Sequence, residues 1–406
     1  MTRPAHIAMV SIPAPGHVNP SLEIIRELAA RGHRVTYAND PSFAGVVTAA
    51  GAEHVPYDST LPAHDNAVAA DDLAGQLALF LDDAIAMLPQ LRAAYDADRP
   101  DLFLYDMTGY PARVLAENWG VPCAQLSPSA VAWEGYEDDV ADQTEAIRAD
   151  PRGAEYYRRA SEWLAANGAS ETDSTRFIAW PPRGLALIPS VMQPNADRVD
   201  LDRYTFVGPC LPEPDLTAWT RPPGAGKVLL VSLGSAFTDR PDFYRACLTA
   251  FGDLPGWHVV LQIGKHVDEA DLGELPANVE IHHWVPQPAI LEQADAFVTH
   301  AGSGGINEAL RAGVPMIAVP QAVDQFMNAD LVAAAGLGVR LDDPTPEALR
   351  AALLDLTGDP GVASRLSATR RELREQGGTA RAADLIEGML GNAPVPVPDD
   401  RATGKR

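Results

Sequence analysis

The chain has 406 residues, 46% of them hydrophobic and 21% charged, a balance that suits a soluble globular protein of two ordinary domains rather than a disordered chain. A formal net charge of -24 argues against nucleic acid as a partner, because phosphate backbones are held by clustered Lys and Arg. The three cysteines, Cys123, Cys210 and Cys247, lie far apart with no CxxC pair, so neither a disulfide framework nor a zinc cluster is indicated.

The opening "MTRPAHIAMV" carries a short apolar run that leads directly into a turn, which reads as a first strand and not as a signal peptide. No segment approaches the roughly eighteen apolar residues that a membrane span requires, so a soluble, cytoplasmic protein without a membrane partner is expected. "HIAMVSI" is a buried strand, after which Asn19-Pro20 reads as an N-cap with proline at the first helical position. Leu22, Ile25, Leu28 and Ala29 form the apolar stripe of that helix, and Gly32 is its stop. Strands follow at "HRVTYA" and "AEHVPY", then a long amphipathic helix over Leu73–Tyr95, a buried strand at "DLFLYDM", a helix near residues 112–119 and a strand at "PCAQLS". Such repeated β-α-β units predict a parallel sheet covered on both faces by helices.

Residues 134–200 are richer in Glu, Asp and Arg and read as a helical insertion. "FVGPCLPEPDLTAWTRPPGAGK" collects prolines and glycines without periodicity, as a linker does. The alternation then restarts with "KVLLVSLGS", "WHVVLQIG", "VEIHHWV", "ADAFVTHAG" and "PMIAVPQ", ending in a helix at 380–390 and the tail "NAPVPVPDDRATGKR". The expected organisation is an N-terminal domain 1–208, a linker 209–226, a C-terminal domain 227–376, a terminal helix 377–393 and a flexible tail 394–406. Two doubly wound, Rossmann-like α/β domains of this kind imply a ligand cleft at their interface.

Chemistry concentrates where strands end. His17 follows the first strand and Asp106 ends "LFLYD", which puts both on the ligand edge of a parallel sheet. A carboxylate there can hold an imidazole in one tautomer and stabilise its protonated form, making the histidine a general base. The alternative is that His17 caps a turn and Asp106 caps the next helix. His6, His33 and His54 fall at strand starts, where surface or core-edge placement is the simpler account. In the second half, "FVTHAGSGGINEALRAG" runs a strand into His300 and a loop with Gly302, Gly304 and Gly305, with a helix beginning near Ile306. A helix N-terminus with glycines suits a diphosphate, and a tight turn that needs glycine for geometry alone remains the alternative. "PQAVDQ" offers Asp324 and Gln325 to vicinal hydroxyls, "HWVPQ" offers Trp284 as a flat partner for a base and Gln287 as a polar one, and "SLGS" brings hydroxyls to the same edge.

Other classes find less support. GxGxxG, GxxxxGK[ST] and GxSxG are all absent. Asp324 lies twenty residues after Gly304, where a ribose-binding acid would fall in a dinucleotide site, so an NAD-dependent oxidoreductase stays open. Asp96-Ala-Asp98 and Asp200-Leu-Asp202 lie in polar connections and read as solvated loops rather than as metal ligands.

Taken together, these segments resemble the GT-B-fold glycosyltransferases that use a nucleotide sugar, with the pattern nearest to macrolide glycosyltransferases acting on oleandomycin-type antibiotics. The resemblance runs from "HIAMVSIPAPGHVNPSLEIIRELAARGHRVTYA" through "YTFVGP", "KVLLVSLGSAFT" and "WVPQ" to "THAGSGGINEALRAGVPMIAVPQAVDQFMNADLV". It implies that His17 deprotonates the acceptor hydroxyl with Asp106 as its partner. Trp284 would stack on uracil, Val285 and Gln287 would contact the nucleoside, and Glu308 would bind ribose. His300, Gly302, Ser303, Gly304 and Gly305 would hold the diphosphate, with Ser235 reaching in from the facing loop, and Asp324 and Gln325 would bind glucose. Related plant enzymes carry Trp-Asn-Ser at Ser303, Gly304 and Gly305, so backbone contacts are the safer expectation there. "LALFLDDAIAML" and "SPSAVAW" would wall an acceptor pocket, with Phe80, Ser129 and Trp133 as candidates.

The implied function is an inverting transfer of glucose from UDP-glucose to a macrolide or similar hydrophobic acceptor, inactivating it in self-resistance or detoxification. No cofactor or divalent metal is implied, and a homodimer is left open. A non-catalytic protein that sequesters the antibiotic is the other alternative.

Overall fold

Two separate parallel sheets organise the chain, and their strand orders follow one plan. The computed structural model describes residues 4–61, 72–234, 238–322 and 324–390, so the expected tail at 394–406 and Ser235 lie outside the described residues. The first sheet contains β1 (His6–Val10), β2 (Arg34–Asn39), β3 (Glu53–Pro56), β4 (Leu102–Tyr105), β5 (Cys123–Ser127), β6 (Gly184–Ala186) and β7 (Tyr204–Phe206). The second contains β8 (Lys227–Ser232), β9 (Trp257–Gln262), β10 (Val279–His282), β11 (Ala296–Thr299), β12 (Met316–Ala318) and β13 (Gly338–Arg340). The orders are β3-β2-β1-β4-β5-β6-β7 and β10-β9-β8-β11-β12-β13, with every pairing parallel. In each sheet the chain starts centrally, winds to one edge and then returns to the other side of its first strand. The order therefore reverses between β1 and β4, and again between β8 and β11.

The strands read as apolar runs because both faces of each sheet are covered. Along β1, Ile7 and Met9 enter one core with Ile24, Ile25 and Leu28 of the helix Pro15–Ala30. Ala8 and Val10 enter the other with Met87, Leu88 and Leu91 of the helix Leu73–Tyr95. Between β5 and β6 the acidic insertion forms helices at Tyr136–Asp139, Ala141–Ala149, Pro151–Ala166 and Ser174–Ala179. One compact unit is drawn from Met1–Ile188, Asn195–Cys210 and Gly377–Arg406, the other from Pro189–Pro194 and Leu211–Gln376. From Leu211 to Gly226 there is neither helix nor strand. Trp219 Nε1 nevertheless donates to Glu280 at 2.9 Å and Arg221 pairs with Asp295 at 3.0 Å, which fastens this stretch to the second unit.

Two helix starts differ from expectation. The first helix begins at Pro15, which occupies its first turn, so Asn19 and Pro20 lie inside it and His17 stands in the opening turn rather than in a loop. Pro20, inside the helix, forfeits an N–H bond to the Gly16 carbonyl. The helix at Ser303–Ala312 begins three residues before Ile306, because Gly302 is extended and serves as the N-cap, which puts Gly304 and Gly305 in the first turn. Gly32 does terminate the first helix, at φ 92°.

The terminal helix Gly378–Met389 packs on the helix Pro15–Ala30 and contributes Ala382, Ala383 and Ile386 to the first core. Arg31 bridges Glu27, Asp384 and Glu387, and these carboxylates hold its guanidinium charged. His33, whose side chain is 1% exposed, accepts the Ala5 N–H on Nδ1 and donates from Nε2 to Glu387 at 2.9 Å. Glu387→Ala leaves that buried donor unpaired and should lower stability by about 1–3 kcal/mol. The check is a lower urea midpoint for unfolding of the first unit.

Candidate active site

Ligands of open α/β sheets bind beyond the carboxyl ends of the strands where the order reverses. In the first unit that place lies past the register pair Val10–Tyr105, and the next residue after Tyr105 is Asp106. The β1–helix connection is fixed from beneath. Asn39 Nδ2 donates to the Ser11 carbonyl at 2.9 Å, Tyr57 donates to the same carbonyl at 3.2 Å, and the Ser11 and Tyr37 hydroxyls meet at 2.8 Å. The helix that starts at Pro15 then carries His17 back over the end of β4.

There His17 Nδ1 hydrogen-bonds to Asp106 Oδ2. The Asp106 side chain is 2% exposed and that of His17 is 25% exposed. Asp106 Oδ1 accepts the Gly109 N–H at 2.8 Å, and Oδ2 also accepts from Thr108 Oγ1 at 2.7 Å. A Cβ on Gly109 would run into the Val10 carbonyl, so only glycine lets this turn close against β1. Asp106 does not cap the helix Pro111–Trp119, whose N-cap is Tyr110 without a side-chain bond: one of its oxygens fixes the turn before that helix, and the other meets the imidazole. A carboxylate on Nδ1 sets the tautomer, with the proton of the neutral ring on Nδ1.

The second reversal point lies past the pair Ser232–Thr299. Ser232 is buried there and its hydroxyl accepts the Gly234 N–H at 3.1 Å, so it shapes the turn instead of facing a ligand. The His300 ring is pressed between Gly234 and Gly302. A Cβ would stand 2.6 Å from its Cε1 at Gly234 and 2.5 Å from its Nε2 at Gly302, and Gly234 also has φ +77°. Burial pushes the imidazole down to about 4, although the Asp324 carboxylate pulls the other way. The helix Ser303–Ala312 has no side-chain N-cap and no acid in its first turn, so no side chain caps its opening N–H groups.

The remaining candidates divide into pairs and single residues. Gln287 Nε2 donates to Glu308 Oε2 at 2.7 Å, and burial raises the Glu308 carboxyl while Gln287 and Arg311 oppose the rise. Ser303 donates to Asp324 Oδ2 at 3.4 Å. Trp284 is 74% exposed, a flat surface open to stacking and not a core residue. Val285 is buried, which leaves only its backbone for a ligand. Gln325 is buried too, and its Oε1 accepts the N–H groups of Gln321 and Ala322, so only the amide nitrogen of its side chain remains for a hydroxyl. Ser129 reaches Met107, next to Asp106, at 3.8 Å. Phe80 packs on the core that also holds Ala14. Trp133 donates to Asp139 at 2.6 Å. Thr108, Gly109 and Asn328 were missed from the sequence. The signals were an Asp followed three residues later by Gly, and an Asn one helical turn after Asp324.

Among the described residues, no group of three or more His, Cys, Asp or Glu gathers in ligating geometry, and no helix is long and apolar enough to cross a membrane. Two doubly wound parallel sheets of these orders, each with its functional residues at the reversal point, are the architecture of the GT-B class. Residues 246–383 match the family described as Erythromycin biosynthesis protein CIII-like, C-terminal domain. Oleandomycin glycosyltransferase of Streptomyces antibioticus is 57% identical over 395 residues, spanning 96% of this chain and 92% of its own length. NDP-glycosyltransferase YjiC of Bacillus subtilis (strain 168) is 33% identical over 96% of this chain and 99% of its own. The solved structure of the glycotransferase of kitacinnamycin superposes with a TM-score of 0.90 at 57% identity, covering 96% of this chain and 100% of that one. The chain belongs to the GT-B-fold glycosyltransferases, and it is an enzyme of glycosyl transfer.

The half-buried His300 ring gives a direct test. The free imidazole titrates near 6.5 and the folded one near 4. Between these values the unfolded chain binds the proton and the folded one does not, so this group weakens the fold as pH falls through that window. Imidazole NMR should show His300 neutral at pH 6 with half-protonation near 4, and a half-point above 6 would contradict the burial.

Proposed function

We propose that the protein transfers glucose from UDP-glucose to a hydroxyl of a macrolide antibiotic with inversion at the anomeric carbon, and that the product is the inactivated drug. The observation that carries this reading is the His17–Asp106 bond at the β1/β4 reversal point. The donor and acceptor classes follow from kinship with an oleandomycin glycosyltransferase and an NDP-glycosyltransferase.

In this mechanism His17 Nε2 takes the proton of the acceptor hydroxyl while Asp106 stabilises the imidazolium. The acceptor oxygen attacks the anomeric carbon from the face opposite UDP, the bond from that carbon to the β-phosphate oxygen breaks, and UDP departs with the electron pair. His300 is neutral near pH 7, so it offers an N–H dipole and not a full charge. Together with the backbone N–H groups that open the helix Ser303–Ala312, it would stabilise the leaving diphosphate, a preorganised arrangement in which no metal is given a role. Trp284 would stack on uracil, Gln287 and Glu308 would address the nucleoside, and Asp324 with the Gln325 amide would bind sugar hydroxyls.

Incubation with UDP-glucose and oleandomycin tests the reading by mass spectrometry. A hexose added to the acceptor supports it. A two-dalton change would favour an oxidoreductase, and an unchanged bound drug would favour sequestration. The anomeric configuration of the product, read by NMR, decides between inversion and retention. His17→Ala and Asp106→Asn should each lower kcat by roughly 10²- to 10⁴-fold with UDP affinity preserved in calorimetry. Gly302→Ala should do the reverse: its Cβ displaces the His300 ring, and UDP affinity falls by on the order of 10²-fold.

A further inference from the structure

Asn328 touches three parts of the second-unit site at once. It is 8% exposed, near the middle of the helix Gln325–Ala334. Its Nδ2 lies 3.1 Å from the Ala301 carbonyl, 3.0 Å from Asp324 Oδ2 and 3.3 Å from Ser303 Oγ. A backbone carbonyl and a carboxylate can only accept, so the amide nitrogen must face them, and the orientation of the side chain is fixed. With two N–H groups serving three oxygens, the amide is shared among the bonds rather than held by one.

The Ala301 contact is the informative one. Ala301 is fully buried and has φ +63°, left-handed backbone that an L side chain adopts at a cost. Its N–H is held by Thr299 Oγ1 at 3.2 Å and its carbonyl by Asn328, so two side chains clamp the kink from its two ends. The kink stands between His300 and Gly302. It therefore sets both the pitch of the imidazole and the start of the helix Ser303–Ala312. Through its second bond the same amide holds one oxygen of Asp324.

We infer that Asn328 is a positioning residue for the donor: it touches no substrate, but it holds the Ala301 kink that aims His300 and orients the Asp324 carboxylate that receives the sugar. The inference rests on the proposed assignment of His300 and residues 302–305 to the diphosphate and of Asp324 to sugar hydroxyls. Neither Asn328 nor Ala301 entered that assignment. A useful corollary is that glycine at 301 adopts φ +63° without cost and needs no clamp.

Full-length wild type, Asn328→Ala, Asn328→Asp, Asp324→Ala and the double variant Asn328→Ala/Ala301→Gly provide the test. The readouts are UDP binding by calorimetry and the UDP-glucose KM and kcat with oleandomycin as acceptor. Asn328→Ala should weaken UDP binding and raise donor KM by roughly 10- to 100-fold, the range that loss of an outer hydrogen bond to a binding group spans. Asn328→Asp, which keeps the shape but sets a carboxylate against Asp324 and the Ala301 carbonyl, should do at least as much. Ala301→Gly should restore UDP affinity in the Asn328→Ala background, an effect that a purely structural role for Asn328 would not produce. UDP affinity unchanged in both Asn328 variants overturns the proposal, as does a failure of Ala301→Gly to restore any binding. Asp324→Ala that leaves donor KM unaltered overturns instead the assignment of that acid to the sugar, and the UDP results for Asn328 then stand on their own.

Discussion

A carboxylate removed from water must have its lone pairs met, and the candidate site of the first unit is built around that requirement at Asp106. The side chain is almost wholly buried at the end of β4, and its three partners come from two places, the turn that follows and the first helix. Gly109 brings the backbone N–H of the following turn, Thr108 brings a hydroxyl, and His17 brings Nδ1 from a helix that begins ninety residues earlier in the chain. Each partner imposes a condition on the fold. Position 109 must be glycine to pass the Val10 carbonyl. The helix must start at Pro15 to bring position 17 over β4, and the Ser11 turn must be stapled by Asn39 and Tyr57 so that the helix starts there. The imidazole tautomer follows from satisfying the carboxylate.

The second unit solves a different electrostatic problem with the same topology. Its reversal point holds an imidazole kept neutral by burial, beside a helix start without a capping side chain. Where the first unit gathers donors around a fixed negative charge, the second leaves a helix start without a capping side chain, with the Asp324 carboxylate reached, among the described residues, only by the Ser303 and Asn328 side chains. Glycines at 234 and 302 serve the same end as Gly109: they let a functional side chain approach backbone more closely than any Cβ would allow. The two sites are related by strand order, through β1/β4 and β8/β11, and not by residue type.

Much of this was legible in the sequence, for a physical reason. Long apolar strands bounded by turns, such as "HIAMV" and "KVLLVS", and the helix Leu73–Tyr95 have lengths and periods that local patterning sets. The three-residue strands β6, β7 and β13 escaped notice because three residues cannot display a period, and they exist only as additions to a sheet edge. Asn19-Pro20 carried a helix-start signal that an earlier proline overrode. Trp284, singled out as a flat partner for a base, lies in the open. That His17 and Asp106 share a sheet edge followed from His17 coming after one parallel strand and Asp106 ending another. That they touch depends on strand order, which no local pattern contains.

The same distinction explains what was missed near His300. Sequence reasoning singled out side chains suited to meet a ligand, and it passed over those that shape the backbone on which they stand. Ser232, read as a hydroxyl for a ligand, is spent on the Gly234 turn, and the Gln325 carbonyl is spent on the N–H groups of Gln321 and Ala322. Asn328 is the converse case, a residue with no ligand chemistry of its own that reaches Ala301, Ser303 and Asp324 together. A left-handed alanine explains why such a residue is needed. The kink after β11 runs against local backbone preference, so it persists only where tertiary bonds hold it, and those bonds come from a helix that starts more than twenty residues further along the chain.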